Sequence, residues 1–166
     1  TMIELVMDNI GVDISHITLL FNKAHQDYYR TSTFDQYNII EVDGLTEGSL
    51  STVLLAKDIL MSADRPLLLG NSDQYIEGSI YQFLYTAINS DADGYISVFT
   101  PCKGDTKWSY AKTNGNGLVV DVQEKVPISN MANTGLYWFR SSYQFVKYAE
   151  DMISRKLKIR GEYYVA

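Results

Sequence analysis

Pro66-Leu67-Leu68-Leu69-Gly70-Asn71-Ser72-Asp73 sets three leucines between a proline and a polar turn. A continuous apolar run this short, bounded by turn residues, reads as a strand covered on both faces, the kind found in sheets flanked by helices. On its N-terminal side, Leu50, Val53, Leu54 and Met61 fall on one face of a helix over residues 49–61. On its C-terminal side, Ile80, Phe83, Leu84, Ala87 and Ile88 give the clearest helical face in the chain. Further out, residues 17–21 and 39–42 read as strands, and residues 25–36 as a short helix plus loop. Ile3, Val6, Met7 and Ile10 form one stripe of a helix over residues 2–10, with Gly11 where helices commonly end.

Toward the C-terminus, residues 95–99 and 133–139 read as strands. Between them, residues 110–112 and 118–122 flank Asn114-Gly115-Asn116-Gly117, a hairpin signal rich in residues that tolerate positive φ. Phe145, Tyr148, Ala149, Met152 and Ile153 mark a last helix capped by Ser141 or Ser142, and residues 163–166 read as an interrupted strand. Strands alternating with helices through the first hundred residues predict an α/β fold. The expected architecture is a Rossmann-like three-layer sandwich with a mixed, mostly parallel sheet and right-handed crossovers, with residues 1–166 forming a single domain.

The chain has 166 residues, 14 basic and 20 acidic, for a net charge of −6. That balance gives no electrostatic footprint for a nucleic-acid backbone. Its apolar runs are far shorter than the ~20 residues a membrane span needs, so neither nucleic acid nor membrane is an expected partner. The single Cys102 excludes an internal disulfide and a multi-thiolate metal site. There is no Asn-x-Ser/Thr acceptor and no signal-peptide pattern, and a cytoplasmic setting is expected. A homo-oligomer is left open.

In open α/β sheets, ligands gather at the carboxyl ends of strands. Asp73 follows such an end, where a carboxylate could bind a hard cation such as Mg²⁺, although the position also suits a turn or a helix cap. Glu47-Gly48-Ser49-Leu50-Ser51-Thr52 is a small-residue turn opening a helix, suited to a nucleotide or to plain capping. Glu124-Lys125 and Asn133-Thr134-Gly135 would face each other if their strands are neighbours. A Lys beside a Glu then suits an anionic ligand carrying hydroxyls, or is a surface ion pair. Asn89 to Ile96 has the oxygen and glycine spacing of an EF-hand loop, but the twelfth position is Thr100 and a strand follows, so a solvated turn is expected. Arg155, Lys156, Lys158 and Arg160 are expected to complement a helix C-terminus.

Taken in order along the chain, four segments resemble the sugar-phosphate nucleotidyltransferases, the family of nucleoside-diphosphate-sugar pyrophosphorylases with a GT-A-like core. Thr46-Glu47-Gly48-Ser49 resembles the family's base-receiving turn, and Asn71-Ser72-Asp73 its metal-binding strand end. Glu124-Lys125 with Asn133-Thr134-Gly135-Leu136-Tyr137 resembles the segments lining its sugar-phosphate pocket. Gly161-Glu162-Tyr163-Tyr164 resembles the stretch that precedes its second metal-binding residue. The run Lys107-Trp108-Ser109-Tyr110-Ala111-Lys112 and the Thr46-Glu47-Gly48 turn are similar to enzymes of bacterial capsule and surface-polysaccharide assembly.

The resemblance implies a Mg²⁺-dependent transfer of a nucleotidyl group from a nucleoside triphosphate to a sugar phosphate or similar phosphorylated metabolite, with pyrophosphate released. Asp73 would bind the metal, and Lys125 would neutralise the acceptor phosphate. Glu124, Asn133, Thr134, Gly135 and Glu162 would contact the acceptor, and Thr46, Gly48 and Ser49 the nucleotide. The family's triphosphate-gripping loop precedes its first helix and its second metal ligand follows the Tyr-Tyr pair. The domain is therefore expected to be incomplete at both ends, with activity carried by the parent protein. Ser72 stands where many relatives have glycine, the usual proline after Glu-Lys is displaced to Pro127, and Tyr110-Ala111 replaces a glycine that often contacts the sugar. A nucleotide-sugar-dependent glycosyltransferase and a non-catalytic nucleotide-binding or regulatory domain are the alternative readings.

Overall fold

The computed structural model describes residues 1–30, 33–78 and 80–165. Thr31 and Ser32, in the expected helix and loop over 25–36, and Ala166, at the end of the interrupted strand, lie outside the described residues. The chain forms two compact units, one made of residues 1–10 and 66–141, the other of residues 11–65 and 142–165.

In the first unit, helix α1 (Met2–Ile10) buries Val6 and half-buries Ile3, Met7 and Ile10, the stripe expected from its spacing. Gly11, which follows it, has φ +65°. Strands β3 (Leu67–Gly70), β4 (Gly94–Phe99), β5 (Ser109–Thr113), β6 (Val119–Glu124) and β7 (Ala132–Phe139) form one sheet, and helix α5 (Ile80–Ile88) connects β3 to β4. Every pairing in that sheet is antiparallel. The mostly parallel sheet expected from sequence is therefore corrected, and the reason lies in β7. Tyr137 and Phe139 pair with β3 on one edge and with β4 on the other. Strands β3 and β4 thus run parallel to each other across α5, as a βαβ unit should, but β7, from later in the chain, is inserted between them. Strand β7 is accordingly the most buried, with Ala132, Leu136 and Trp138 in the core.

On α5, Ile80 and Ala87 are buried, and Phe83 packs edge-on to Tyr95, which meets Trp138 in the same way. Ile88, expected on this face, is 56% exposed. The β5–β6 hairpin closes where the glycines and asparagines predict. Asn114 N–H donates to Leu118 O at 2.9 Å, its Oδ1 receives the N–H groups of Asn116 and Leu118, and Gly117 has φ +78°. The 89–93 turn serves as a helix-to-strand connection whose Ser90 and Ala92 carbonyls accept from the Arg140 guanidinium.

In the second unit, β1 (Thr18–Asn22) and β2 (Asn38–Val42) are parallel neighbours. The single helix expected over 49–61 is instead α3 (Ser49–Val53), a 3-10 turn (Leu54–Ala56) and α4 (Lys57–Leu60). Thr52 Oγ1 donates to Gly48 O at 3.2 Å, the i to i−4 side-chain bond that bends a helix. As a result Leu50 and Ala56 are buried while Met61 is 37% exposed. Helix α6 (Ser142–Ser154) buries Phe145, Val146 and Ala149, and leaves Tyr148 of the expected stripe outside. Its Tyr143 N–H is received by Asp64 Oδ1, while the buried Ser142 hydroxyl donates to Leu60 O.

The region between β1 and β2, which holds the short helix α2 (Gln26–Tyr29), has no clear period because its order is aromatic. Phe21 stacks on buried Tyr29 and meets Phe34 edge-on. Glu41 Oε1 accepts from Arg30 Nη2 at 2.6 Å and from Tyr29 OH at 2.9 Å. The Arg30 hydrogen bond, then that of Tyr29, holds the Glu41 carboxyl below its ordinary 4.5. A depressed folded pKa stabilises above the unfolded value, and that contribution is lost as pH falls through the folded one. The decline of the urea midpoint on acidification below about pH 4.5 is expected to be shallower in Glu41→Gln than in wild type. Superimposable declines would exclude this carboxylate as a source.

Candidate active site

The site residues fall into two groups, one in each unit. In the first unit, β3 runs out at Gly70, and Asn71 N–H donates to Gly135 O at 3.1 Å. Gly135 sits in β7 with φ +81°, and a Cβ there would overlap Gln74 Oε1 and Asn71 Nδ2. Glycine there leaves room for the Asn71 and Gln74 side chains to lie against the strand. The turn is pinned again at its far end. Asn9 on α1 donates its Nδ2 to Ile76 O and accepts the Ile76 N–H on Oδ1, both at 3.1 Å. Asp73 lies between these anchors, exposed, with no hydrogen-bond or ion-pair partner among the described residues. A small depression between α1 and β7 is lined by Asn9, Asn71, Gln74, Thr134 and Gly135.

Strand β6 ends in Glu124, whose side chain is only 10% exposed. Lys125 turns into the left-handed region at φ +58°, which for a non-glycine residue costs about 1 kcal/mol or more. Its N–H is held by Trp108 O at 3.1 Å, and Nζ lies 3.6 Å from Glu124 Oε1. The other carboxylate oxygen, Oε2, accepts from Ser109 Oγ on β5. On β7, Asn133 is 3% exposed, yet neither its Oδ1 nor its Nδ2 has a hydrogen-bond partner among the described residues. Burial raises the pKa of the Tyr137 hydroxyl, Asn133 nearby lowers it, and the charge of Glu124 raises it further. Tyr137 is therefore a neighbour of both, but its pair with Asn133 does not close to a hydrogen bond. Thr134 is used differently, since its Oγ1 donates to Ser97 O at 3.3 Å and ties β7 to β4.

In the second unit, Gly48 has φ +114°, and a Cβ there would overlap Tyr163 O and lie 2.8 Å from Tyr163 N. The backbone of Tyr163 is bonded on both sides of the turn. Its N–H donates to Glu47 O at 2.7 Å, and its carbonyl receives Leu50 N–H at 3.1 Å. Thr46 Oγ1 joins Thr52 Oγ1 at 2.6 Å, and Ser49 is exposed. Lys158, of the basic cluster, bonds Glu47 Oε1 at 2.6 Å and covers the Tyr163 ring at 4.9 Å. Glu162, expected with the acceptor contacts, is exposed and lies against Gly48, its Cβ 3.0 Å from where a Cβ on that glycine would stand.

The structure thus brings Glu124 and Lys125 together, puts Tyr137 within electrostatic reach of Glu124 and beside Asn133, and sets Gly135 against the turn that carries Asp73. It joins Thr46, Gly48 and Ser49 to Glu162. Asn9 is the residue that sequence reading did not name; Trp108 and Ser109 enter it only within the 107–112 run and Lys158 only within the basic cluster, none of them as a site residue. Only Ser109 had a legible signal, as a hydroxyl at the start of one hairpin strand with a carboxylate at the end of the other. No trio of His, Cys, Asp or Glu able to hold a metal is gathered among the described residues. The donor set does fit Mg²⁺ in its usual protein form, in which one or two carboxylates join substrate phosphates and water.

Among solved structures, the nucleoside-diphosphate-sugar pyrophosphorylase of Vibrio cholerae RC9 matches with a TM-score of 0.74 and 24% identity over 100% of this chain and 72% of its own. A Bacillus anthracis protein assigned as a glucose-1-phosphate thymidylyltransferase, solved with sucrose, matches with a TM-score of 0.70 and 15% identity over 99% of this chain and 66% of its own. At these identities the likeness is one of fold, a mixed α/β architecture. No curated protein matches the chain, and no helix among the described residues is long and apolar enough to cross a membrane. The family model for nucleotidyl transferases matches residues 1–161, taking in residues of both units, and the chain belongs to that family.

Proposed function

We propose that the parent protein transfers a nucleotidyl group from a nucleoside triphosphate to a sugar phosphate, or a similar phosphorylated metabolite, and releases pyrophosphate. An oxygen of the acceptor phosphate attacks the α-phosphorus, a new P–O bond forms, and the bond to the bridging oxygen of the leaving pyrophosphate breaks. No covalent enzyme intermediate is needed, so catalysis is positioning and charge neutralisation.

The observation that carries this reading is Asn133, a buried amide whose donor and acceptor are both unused among the described residues, beside Tyr137, which feels the charge of Glu124. An unsatisfied buried polar group costs about 1–3 kcal/mol, and a ligand hydroxyl would relieve that cost. Glu124 accepts from a second hydroxyl, and Lys125 meets the acceptor phosphate. Gly48 and Ser49, with Thr46 bracing the turn, seat the nucleotide, and Glu162 lines that same side. Asp73 would hold Mg²⁺, which when bound supplies neutralisation of phosphate charge. The proposal extends to a cytoplasmic enzyme of bacterial capsule or surface-polysaccharide assembly, for which the resemblance at residues 46–48 and 107–112 is the support.

Asn133→Ala tests the acceptor site. The substitution removes an unpaired buried group, so the unfolding free energy is expected to stay level or rise, while KM for the sugar phosphate rises about tenfold. A variant destabilised by several kcal/mol with unchanged KM would mean that Asn133 serves only the fold.

A further inference from the structure

We propose that Ser109 is a positioning residue for the acceptor. It holds Glu124 by one carboxylate oxygen so that the other faces the substrate hydroxyl. The inference rests on the acceptor-site reading and goes beyond it by naming the group that sets the carboxylate's direction.

Ser109 stands directly opposite Glu124 in the β5–β6 register, so the two side chains leave the same face of neighbouring strands. Ser109 Oγ donates its only proton to Glu124 Oε2. Lys125 Nζ lies on the side of Oε1, at 3.6 Å. The carboxylate is thereby divided, with one oxygen engaged from inside the protein and the other left beside the ammonium.

A glutamate at a strand end has three side-chain torsions, and a carboxylate free to turn would present either oxygen at many angles. A donor fixed on the opposite strand removes that freedom before the ligand arrives, which is how a preorganised site gains affinity without a new ligand contact. The hairpin mouth is itself held, since Lys125 N–H donates to Trp108 O, adjacent to Ser109. Trp108 is in turn fixed by its Nε1–H bond to Asp105 Oδ2 at 3.0 Å. The Glu124 side chain is 10% exposed, so little water competes for Oε2. Tyr110 stands opposite both Gln123 and Ala132, so Ser109, Glu124 and Asn133, each one position along from these, share the other face of the sheet, where the Asn133 side chain has no hydrogen-bond partner among the described residues.

The test is a double-mutant cycle on the full-length protein, with glucose 1-phosphate and mannose 1-phosphate as probes in titration calorimetry and in steady-state kinetics. Ser109→Ala is expected to raise Kd and KM for the sugar phosphate roughly five- to tenfold, with KM for the nucleoside triphosphate unchanged and kcat within about twofold. Ser109→Thr, which keeps the hydroxyl and suits a strand, is expected to restore wild-type binding. In a Glu124→Ala background, Ser109→Ala is expected to change nothing further, because a residue acting through another has no effect once that other is gone. Equal losses from Ser109→Ala in both backgrounds, or a normal Kd in Ser109→Ala alongside a weakened Glu124→Ala, would overturn the role of Ser109 while leaving the acceptor site in place. Normal sugar-phosphate binding by Glu124→Ala, or none by wild type, would overturn the acceptor-site reading and this inference with it.

Discussion

Replacing Asp73 with asparagine is expected to lower kcat of the full-length protein about a thousand-fold, a loss of about 4 kcal/mol of transition-state stabilisation, while moving Tm by about 1 °C or less. The two halves of that expectation come from different observations. Asp73 is exposed and has no hydrogen-bond or ion-pair partner among the described residues, so the fold loses nothing when its charge goes. The turn around it is held on both sides, by Asn71 N–H on Gly135 O and by Asn9 on the Ile76 backbone. A loop secured at both ends around an uncommitted carboxylate is a poor arrangement for stability and a good one for holding a cation against phosphate. Asparagine keeps the size and removes the charge, so the Mg²⁺ concentration for half-maximal rate is expected to rise as well. Asp91→Asn, an exposed carboxylate in the 89–93 turn, serves as control and is expected to be silent. An Asp73→Asn enzyme within tenfold of wild-type turnover would remove Asp73 from the metal role.

What was legible in the sequence is what short-range physics decides. The α1 stripe, the β3 run ending at a polar turn and the Asn-Gly hairpin each needed only neighbours within about seven residues. Register was not legible. Counting outward from the turn, with Thr113 opposite Val119, would set Ser109 against Gln123, but an irregularity between Lys112 and Thr113 shifts the pairing by one and brings Ser109 to Glu124. Sheet direction was hidden for a similar reason. Alternating strands and helices correctly imply that β3 and β4 run the same way, but nothing local says that β7 lies between them. The sequence motifs named Asn133 without revealing that its amide is unpaired among the described residues, because satisfaction of a buried group depends on everything packed around it. The contact of Tyr163 with Glu47 and Leu50 spans more than a hundred residues, and no periodicity carries such a pairing.

That long-range contact sets up the second large effect. Gly48→Ala is expected to cost about 3 kcal/mol of stability and to weaken nucleoside triphosphate binding at least tenfold in the molecules that remain folded. Two penalties combine. At φ +114° any Cβ is strained, and here it would also overlap Tyr163 O and stand 2.8 Å from Tyr163 N. The obstacle is backbone, which cannot swing aside as a side-chain tip can, so the Tyr163 segment must move off the turn. That motion would break the bonds from Tyr163 N–H to Glu47 O and from Leu50 N–H to Tyr163 O, and expose a ring now 3% accessible. Gly44→Ala is the unobstructed comparison, because Gly44 has φ +73° with nothing within 4 Å of a built Cβ, and is expected to cost only about 1 kcal/mol. Urea unfolding of the two variants side by side reads the difference, which combines the Tyr163 contact with the steeper strain of the Gly48 backbone at φ +114° and ψ 176°. Equal losses would mean that φ strain explains both and that Tyr163 does not brace the turn. A larger loss in Gly48→Ala with normal nucleotide binding would instead leave the brace in place and move the base-binding role away from residues 46–49.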